Sequence, residues 1–201
     1  YTQAADHTAN PIPALLAKAK LLRALKRSGE AITTLKRIVD LAPEDDEAAA
    51  QLGEALAEAN QGQDALEAFQ RAIQIAPRKV AHYVRLGRLY RLTGQLDAAL
   101  GHLQHARELA PENAEALREM AFVFEGRRQF NRAYELYQKL MALEPNNADN
   151  FFRAGLVLKE MRDYLESAEL FQRAARLDPS NVEAERQRAT VAAIGILRGK
   201  N

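Results

Sequence analysis

Five prolines recur at a constant interval of 34 residues, and this period limits the possible folds more than any other feature of the chain. They are Pro43, Pro77, Pro111, Pro145 and Pro179. A fixed period of about 20–50 residues is typical of repeat arrays, in which each unit buries its apolar face against its neighbours. We therefore expect a stack of similar units that presents an extended binding surface.

Each proline is expected to follow the end of one helix and to precede the start of the next. Proline lacks a backbone N–H and moves the residue before it out of the α-helical region. Polar residues come directly after four of the prolines, where their side chains can cap the next helix. These capping candidates include Asp45, Asn113, Asn147 and Asn181.

Each period also contains two stretches in which apolar residues have helical spacing. In the third period the first stretch has Tyr83, Leu86 and Tyr90 at positions i, i+3 and i+7. The second stretch has Ala99 and Leu103 at positions i and i+4. The period therefore predicts a helix, a short turn and a second helix.

Equivalent positions of successive periods share a side-chain size. Two positions hold only small residues: Ala19, Gly53, Gly87, Ala121 and Gly155, and Ala31, Ala65, Ala99, Ala133 and Ser167. Two others hold large apolar residues: Leu22, Leu56, Tyr90, Phe124 and Leu158, and Leu35, Phe69, Leu103, Tyr137 and Phe171. The small residues would let the paired helices approach closely, so a bulky residue at Gly87 or Ala99 should cost about 1–3 kcal/mol.

These positions together resemble the tetratricopeptide repeat (TPR), and the resemblance covers about residues 12–181. The third period carries it most fully, with Tyr83, Leu86, Gly87, Tyr90, Gly94, Ala99, Leu103, Ala106 and Pro111. The resemblance implies an all-α fold, an α-solenoid in the form of a right-handed superhelix. It would contain five helix-turn-helix units and a C-terminal capping helix.

The resemblance divides the chain into five repeats between two terminal segments. The repeats are expected at 12–45, 46–79, 80–113, 114–147 and 148–181. Residues 182–201 would form the capping helix, with a truncated sixth repeat or a docking helix for a following segment as alternatives. The first repeat departs most from the pattern, since Lys18 replaces an apolar residue and Gly29 comes late for the turn. Its first helix is therefore expected to be partly exposed or slightly shifted.

Residues 1–11 have two interpretations, an N-terminal arm or the remnant of an upstream repeat. Tyr1 lies one period before Leu35, and Ala4 lies one period before Ile38. Tyr1–Ala9 would then be the end of a second helix whose partner is missing. On this interpretation the sequence is an excerpt of a longer protein.

Composition excludes several classes of function. The 28 basic and 27 acidic residues give a net charge of +1, which argues against binding to bulk nucleic acid or to an anionic membrane surface. The chain contains no cysteine, which excludes disulfides and thiol chemistry. It contains no run of about 18 apolar residues that could span a membrane. The high content of Ala, Leu and Arg is typical of a bacterial source.

No catalytic or cofactor motif is present, so we expect neither enzyme activity nor a cofactor. His102 and His105, at i and i+3, could share a metal ion, but further ligands are missing nearby in the sequence, and surface histidines are the favoured interpretation. The segment from Gly195 to Lys200 has the wrong spacing for a phosphate-binding loop. The sequence does not decide between a cytoplasmic and a periplasmic location.

In a TPR array the first helix of each pair lines the concave face, and residues beside its packed stripe are candidate ligand contacts. The candidates are Arg85, Arg88, Arg91, Arg118, Phe122, Phe152, Arg153 and Leu156. Arginines beside phenylalanines suit a peptide with acidic and aromatic side chains. The alternative is that the arginines are solvated or pair locally with Glu54 and Glu119.

The function expected from these features is a non-enzymatic scaffold that binds a peptide or protein segment in its concave groove and organises a multiprotein assembly. The partner could be another copy of the chain. The alternative is the recognition arm of a larger enzyme or of a secretion component whose active domain lies elsewhere. Binding of a chaperone C-terminal carboxylate is disfavoured, because Lys20, Glu54 and Arg88 stand where that clamp needs Asn.

Overall fold

The structure is a computed structural model that describes residues 10–198, with only the backbone described for residues 196–198. Within this part of the chain there are eleven α-helices and no β-strands. The first helices of the pairs are α1 (Ile12–Ala24), α3 (Asp46–Glu58), α5 (Val80–Leu92), α7 (Ala114–Gly126) and α9 (Ala148–Glu160). The second helices are α2 (Ser28–Leu41), α4 (Gly62–Ile75), α6 (Leu96–Leu109), α8 (Phe130–Leu143) and α10 (Tyr164–Leu177), and α11 (Val182–Arg198) follows them. The prediction of an all-α helical-repeat solenoid is confirmed.

The helices belong to two compact units, which meet in the sequence at Leu109 and Ala110. Unit 1 contains α1 to α6, and unit 2 contains α7 to α11. Within each unit every helix packs against the next one along the chain. Each unit therefore has the core of a stacked array, shared between neighbouring helices.

Asparagine and aspartate side chains cap the first helices at the positions that follow the prolines. The Asp45 carboxylate accepts hydrogen bonds from the backbone N–H groups of Glu47 and Ala48, both at 3.0 Å. The Asn113 side chain accepts one from Ala116 N–H at 2.9 Å, and Asn147 and Asn181 cap α9 and α11 in the same way. The predicted capping role of these residues is confirmed.

The turn between the two helices of each pair needs one residue in the left-handed conformation. Among residues 10–198, five have positive φ and they occupy equivalent positions: Lys26, Asn60, Gly94, Arg128 and Arg162, with φ between 57° and 79°. Glycine adopts this conformation without steric cost, whereas lysine and arginine do not. The backbone of the turn is therefore set by the packing of the helices.

The first repeat keeps the register of the others. Helix α1 begins at Ile12, one period before Asp46 where α3 begins, and both helices are 13 residues long. The alternative of a shifted helix was therefore wrong. The turn is made by Lys26, and Gly29 lies within α2. The alternative of partial exposure was right, because Leu21 of α1 and Leu25, directly after its end, are exposed to solvent.

The small and large positions predicted from the period meet across the helix pairs that have glycine at the small position. A Cβ atom added at Gly53 would stand 3.0 Å from the Phe69 ring, and one at Gly155 would stand 2.9 Å from the Phe171 ring. Phe69 and Phe171 are buried. The glycine that lets the two helices approach closely is thus in contact with the aromatic ring that fills the space between them, as the sequence predicted.

Helix α11 packs on α10 with one buried face. Ala184 and Val191 are fully buried. On the outer face, Arg188 Nε forms an ion pair with Glu185 Oε2 at a distance of 2.9 Å. This arrangement favours a capping helix with a polar outer face, an interpretation that stays a prediction. The side chain of Leu197 and the predicted segment Tyr1–Ala9 lie outside the described residues.

Candidate peptide-binding surfaces

In unit 1 the predicted groove residue Arg85 is held by two carboxylates from the preceding first helix. Its guanidinium lies 2.9 Å from Glu47 Oε1 and 3.0 Å from Glu54 Oε1. Burial opposes ionisation of Glu47, but its hydrogen bonds to Arg85 and Lys79 hold its pKa below the usual range. Arg85 therefore contributes to a mixed-charge surface rather than to a purely basic one.

Arg23 of α1 extends this ion-pair network toward the first repeat. It lies 3.1 Å from Glu54 Oε2 and 2.6 Å from Glu58 Oε1. The hydrogen bond to Glu58 is the main reason why the pKa of Arg23 is raised, with burial opposing it. Glu54 is thus shared by Arg23 and Arg85, so the local pairing with Glu54 that the sequence suggested is present.

A pocket of about 510 Å³ opens beside this network. Its apolar lining comes from Phe69, Leu89 and Leu92, and its charged lining includes Arg85 and Arg88. Leu92 is largely exposed, whereas Phe69 and Leu89 are buried. The pocket therefore offers an apolar floor with guanidinium groups at its side, which is the usual build of a ligand pocket. Arg91, the third candidate on α5, is half-buried.

In unit 2 the candidate Arg118 of α7 is paired with a carboxylate that the sequence did not suggest. Its Nη2 atom lies 2.5 Å from Glu144 Oε2, beyond the end of α8. Asn147 and Asn150 also donate hydrogen bonds to Glu144, each at 2.9 Å. These donors, Asn150 first among them, lower the pKa of Glu144. Arg118 is therefore positioned by a small polar network.

Arg153 of α9 covers one of the predicted aromatic anchors. Its guanidinium carbon lies 4.4 Å from the centre of the Phe122 ring, within the range of a cation–π contact. Asp149 accepts a hydrogen bond from Arg153 Nε at 2.9 Å. Phe122, Arg153 and Asp149 thus form one half-exposed surface patch that joins an aromatic ring, a cation and an anion.

The remaining candidates of unit 2 differ in where their side chains point. Phe152 packs against Phe171 of α10, with ring centres 5.6 Å apart. It also contacts the buried alanines at the α10–α11 junction, so its ring belongs partly to the core. Leu156 is half-buried on α9. Phe152 is therefore the one apolar candidate that packs at this junction, whereas Phe122 and Leu156 are not among the residues that contact its buried alanines.

Sequence reasoning missed most of the carboxylates that hold these arginines. In the network of unit 1 each ion pair joins an arginine to a glutamate about one period away, for example Arg23–Glu54 and Glu47–Arg85. Opposite charges about one repeat apart on first helices would therefore have been the signal. The pairing of Arg118 with Glu144 is harder to foresee, since it crosses from a first helix to the end of a second helix.

Each histidine of α6 lies beside a tyrosine ring, with His102 half-buried and His105 exposed at the surface. His102 is stacked on Tyr90 with ring centres 5.4 Å apart, and His105 lies 4.5 Å from the Tyr83 ring. Burial is the main reason why the pKa of His102 is lowered. Their position against aromatic rings favours a packing role over metal binding.

Another cluster of metal-ligating side chains lies at the start of α3 and α5. Asp46, Glu47 and His82 bring one ligand atom each within 4.8 Å of one another. The Lys79 ammonium already lies between the two carboxylates, 2.5 Å from Asp46 and 3.2 Å from Glu47. The cluster is therefore charge-balanced by the protein itself.

The sequence matches models of one protein family over three stretches. Models described as the tetratricopeptide repeat match residues 16–80, 56–121 and 148–181. The chain is a tetratricopeptide repeat protein. TPR proteins are generally non-catalytic interaction scaffolds. Among the described residues, no helix combines the length and the apolar content needed to cross a bilayer.

Solved structures of several TPR proteins share this fold. MamA from Desulfovibrio magneticus RS-1 is 23% identical, with a TM-score of 0.72 over 85% of this chain and 97% of that one. TTC0263 of Thermus thermophilus is 21% identical, with a TM-score of 0.70 over 90% and 99% of the two chains. YrrB, described as a TPR protein with an unusual peptide-binding site, is 19% identical, with a TM-score of 0.67 over 94% and 97%. No curated protein sequence matches the chain.

Proposed function

We propose that this TPR protein is a non-enzymatic scaffold that binds peptide segments on the first helices of its repeats and thereby organises a multiprotein assembly. The main support for this proposal is the pocket of unit 1, whose apolar floor lies beside the guanidinium groups of Arg85 and Arg88. A second surface of mixed chemistry is present in unit 2. Peptide recognition of this kind needs apolar anchors in a pocket and a charged rim that selects among sequences.

The pocket of unit 1 fits a peptide that inserts one large apolar side chain. Its volume of about 510 Å³ exceeds the space that a single aromatic side chain needs, and Leu92 leaves an apolar surface open to solvent. An acidic residue of the peptide next to this anchor would approach Arg85 and Arg88. Because Glu54 and Glu58 also line the pocket, the acidic residue competes with them, and the preference for acidic peptides is moderate in this unit.

The surface of unit 2 fits the same chemistry through a different arrangement. Phe122 offers a ring that Arg153 already covers on one side, and Leu156 adds apolar surface on α9. An aromatic side chain of a peptide can stack on Phe122 while its neighbouring carboxylate meets Arg153 or Arg118. YrrB supports the general idea of peptide binding, since that TPR protein is described with an unusual peptide-binding site.

Binding of fluorescein-labelled peptides, measured by fluorescence anisotropy, tests the proposal. A peptide of about 12 residues rich in Asp, Glu and Phe is compared with a peptide of equal length in which Lys replaces the acidic residues. The acidic peptide is expected to bind at least about tenfold more tightly. Arg88→Glu in unit 1 and Arg118→Glu in unit 2 are each expected to weaken it by about tenfold, which corresponds to about 1.4 kcal/mol.

Matched controls carry the same charge change on exposed positions of second helices. Lys36→Glu of α2 serves unit 1, and Lys139→Glu of α8 serves unit 2. Both are expected to leave the affinity within about twofold. Equal losses in the control variants, or equal affinity for the acidic and the basic peptide, would refute the proposed surfaces. Self-association and the alternative of a recognition arm in a larger protein stay predictions.

A further inference from the structure

Two cavities of unit 1 adjoin each other across an ion pair. The pocket of about 510 Å³ described above and a second cavity of about 540 Å³ share Arg23 and Glu58 in their linings. These two side chains form an ion pair at 2.6 Å, so they stand between the two cavities. A ligand in the first pocket would therefore reach the second cavity by passing over this pair.

The second cavity differs from the first in its chemistry. Its other lining residues are Lys20, Ala24, Lys26 and Ser28, so it has no large apolar side chain, and we call it the lysine cavity. Its three cations face one carboxylate, whereas the first pocket has three arginines, two glutamates and an apolar floor. The first pocket therefore suits an apolar anchor, and the lysine cavity suits an anionic group.

The two lysines are the cations of this cavity that remain available to a partner. The Arg23 guanidinium is already held by two carboxylates of α3, at 2.6 and 3.1 Å. Lys20 and Lys26 are exposed, and within residues 10–198 neither ammonium group takes part in an ion pair. An incoming carboxylate gains these two ammonium groups without breaking an existing pair. At Arg85, in contrast, it competes with carboxylates that are already bound.

We infer that the lysine cavity binds an acidic side chain of the same peptide whose apolar side chain fills the neighbouring pocket. This inference rests on the proposed function and adds a spacing to it. The lysine cavity lies between α1 and α3, and the first pocket lies between α3 and α5. Packed helices are about 8–10 Å apart, and an extended peptide advances about 3.1–3.3 Å per residue. The acidic residue is therefore expected about three residues from the apolar one.

Two short fluorescein-labelled peptides test the inference by fluorescence anisotropy. Each has a single phenylalanine at its centre. The first peptide has aspartate three residues before and three residues after it, which makes the test independent of the direction in which the peptide lies, and the second has asparagine at both places. Every protein carries Phe122→Ala, which removes the aromatic ring of the unit 2 surface. The aspartate peptide is expected to bind about fivefold more tightly than the asparagine peptide.

Exchange of both lysines, Lys20→Gln with Lys26→Gln, is expected to remove this preference. The affinity for the aspartate peptide should fall about fivefold, while that for the asparagine peptide stays within about twofold. The matched control is Lys36→Gln with Lys139→Gln, which makes the same charge change at exposed positions of second helices. The control is expected to keep the preference, so it separates a local contact from a general effect of net charge. Circular dichroism of each variant confirms that the array is folded.

Leu92→Asp distinguishes a failure of this inference from a failure of the proposed function. It places a charge in the apolar pocket and is expected to weaken both peptides by about tenfold, because both insert a phenylalanine there. If it does so and the preference for aspartate survives the exchange of both lysines, the inference alone is overturned. A preference that the control removes as well also overturns it. Binding of neither peptide, or affinities that Leu92→Asp leaves unchanged, would overturn the proposed pocket of unit 1 and the inference together.

Discussion

Gly87 of α5 lies directly against Leu103 of α6. A Cβ atom built on Gly87 would stand 2.7 Å from Leu103 Cγ and 3.3 Å from the carbonyl oxygen of Ala99. Non-bonded carbon atoms attract best at about 3.5–4.0 Å, so even one methyl group would force the two helices apart or move a buried leucine. The small residue at this position is therefore a requirement of helix approach in the third repeat.

Gly87→Ala is expected to lower the free energy of unfolding by about 1–3 kcal/mol through overpacking. Gly101→Ala is the matched control, because Gly101 lies within α6 and has no atom within 4 Å of a built Cβ. That change is expected to stabilise the protein by about 0.5–1 kcal/mol through helix propensity. Urea unfolding followed by circular dichroism measures both. A Gly87→Ala variant as stable as Gly101→Ala would contradict the packing argument.

The left-handed turn position gives a second stability prediction. Lys26 has a φ of 57°, which costs a residue with a Cβ about 1 kcal/mol relative to glycine. Lys26→Gly should therefore raise the melting temperature, and Gly94→Ala should lower it. Gly62→Ala, at a glycine without positive φ, is expected to cause no such loss. If Lys26→Gly destabilised the protein, the lysine side chain would have a role that outweighs backbone strain.

The buried imidazole of His82 predicts a dependence of stability on pH. Burial lowers the pKa of His82, while its hydrogen bond to Asp46 at 2.6 Å opposes the shift and the charges of Lys79 and Arg85 add to it. The folded state therefore binds this proton less readily than the unfolded chain does. The stabilising contribution is complete above the unfolded pKa of about 6.5 and is lost as the pH falls below it.

His82→Ala should flatten this part of the profile. Alanine suits the site, because Ala48 and Ala184 are buried at equivalent positions. Unfolding free energies measured between about pH 5 and pH 8 are expected to rise with pH more steeply in the natural chain than in the variant. Identical slopes would show that His82 keeps the same pKa in the folded and unfolded states.

The apolar part of the unit 2 surface can be tested separately from its charges. Phe122→Ala is expected to weaken the acidic, phenylalanine-rich peptide by about tenfold, because it removes the ring on which a peptide aromatic would stack. Leu165→Ala removes an exposed apolar side chain from α10 of the same unit and is expected to have little effect. Titration calorimetry gives both affinities. An unchanged affinity in Phe122→Ala would leave the charges alone to explain binding.

The sequence by itself determined the all-α repeat fold and the positions of its helices. Prolines such as Pro77 and Pro111 divide the chain, and polar residues such as Asn113 cap the helices that follow. These signals act within a few residues, so they can be read without knowledge of long-range contacts. The match of small Gly53 with large Phe69 also followed from the period, because the same pair of positions recurs in every repeat.

Only the tertiary structure decided how the groove residues are used. It turned Phe152 toward Phe171, gave Arg85 two carboxylate partners and brought Glu144 to Arg118. These outcomes depend on rotamers and on charges that lie about one repeat apart or at a helix end. The period specifies which backbone positions are neighbours, but it does not specify which of several nearby charges a flexible arginine side chain will pair with. That choice is made when the helices are packed and each guanidinium finds the carboxylate within its reach.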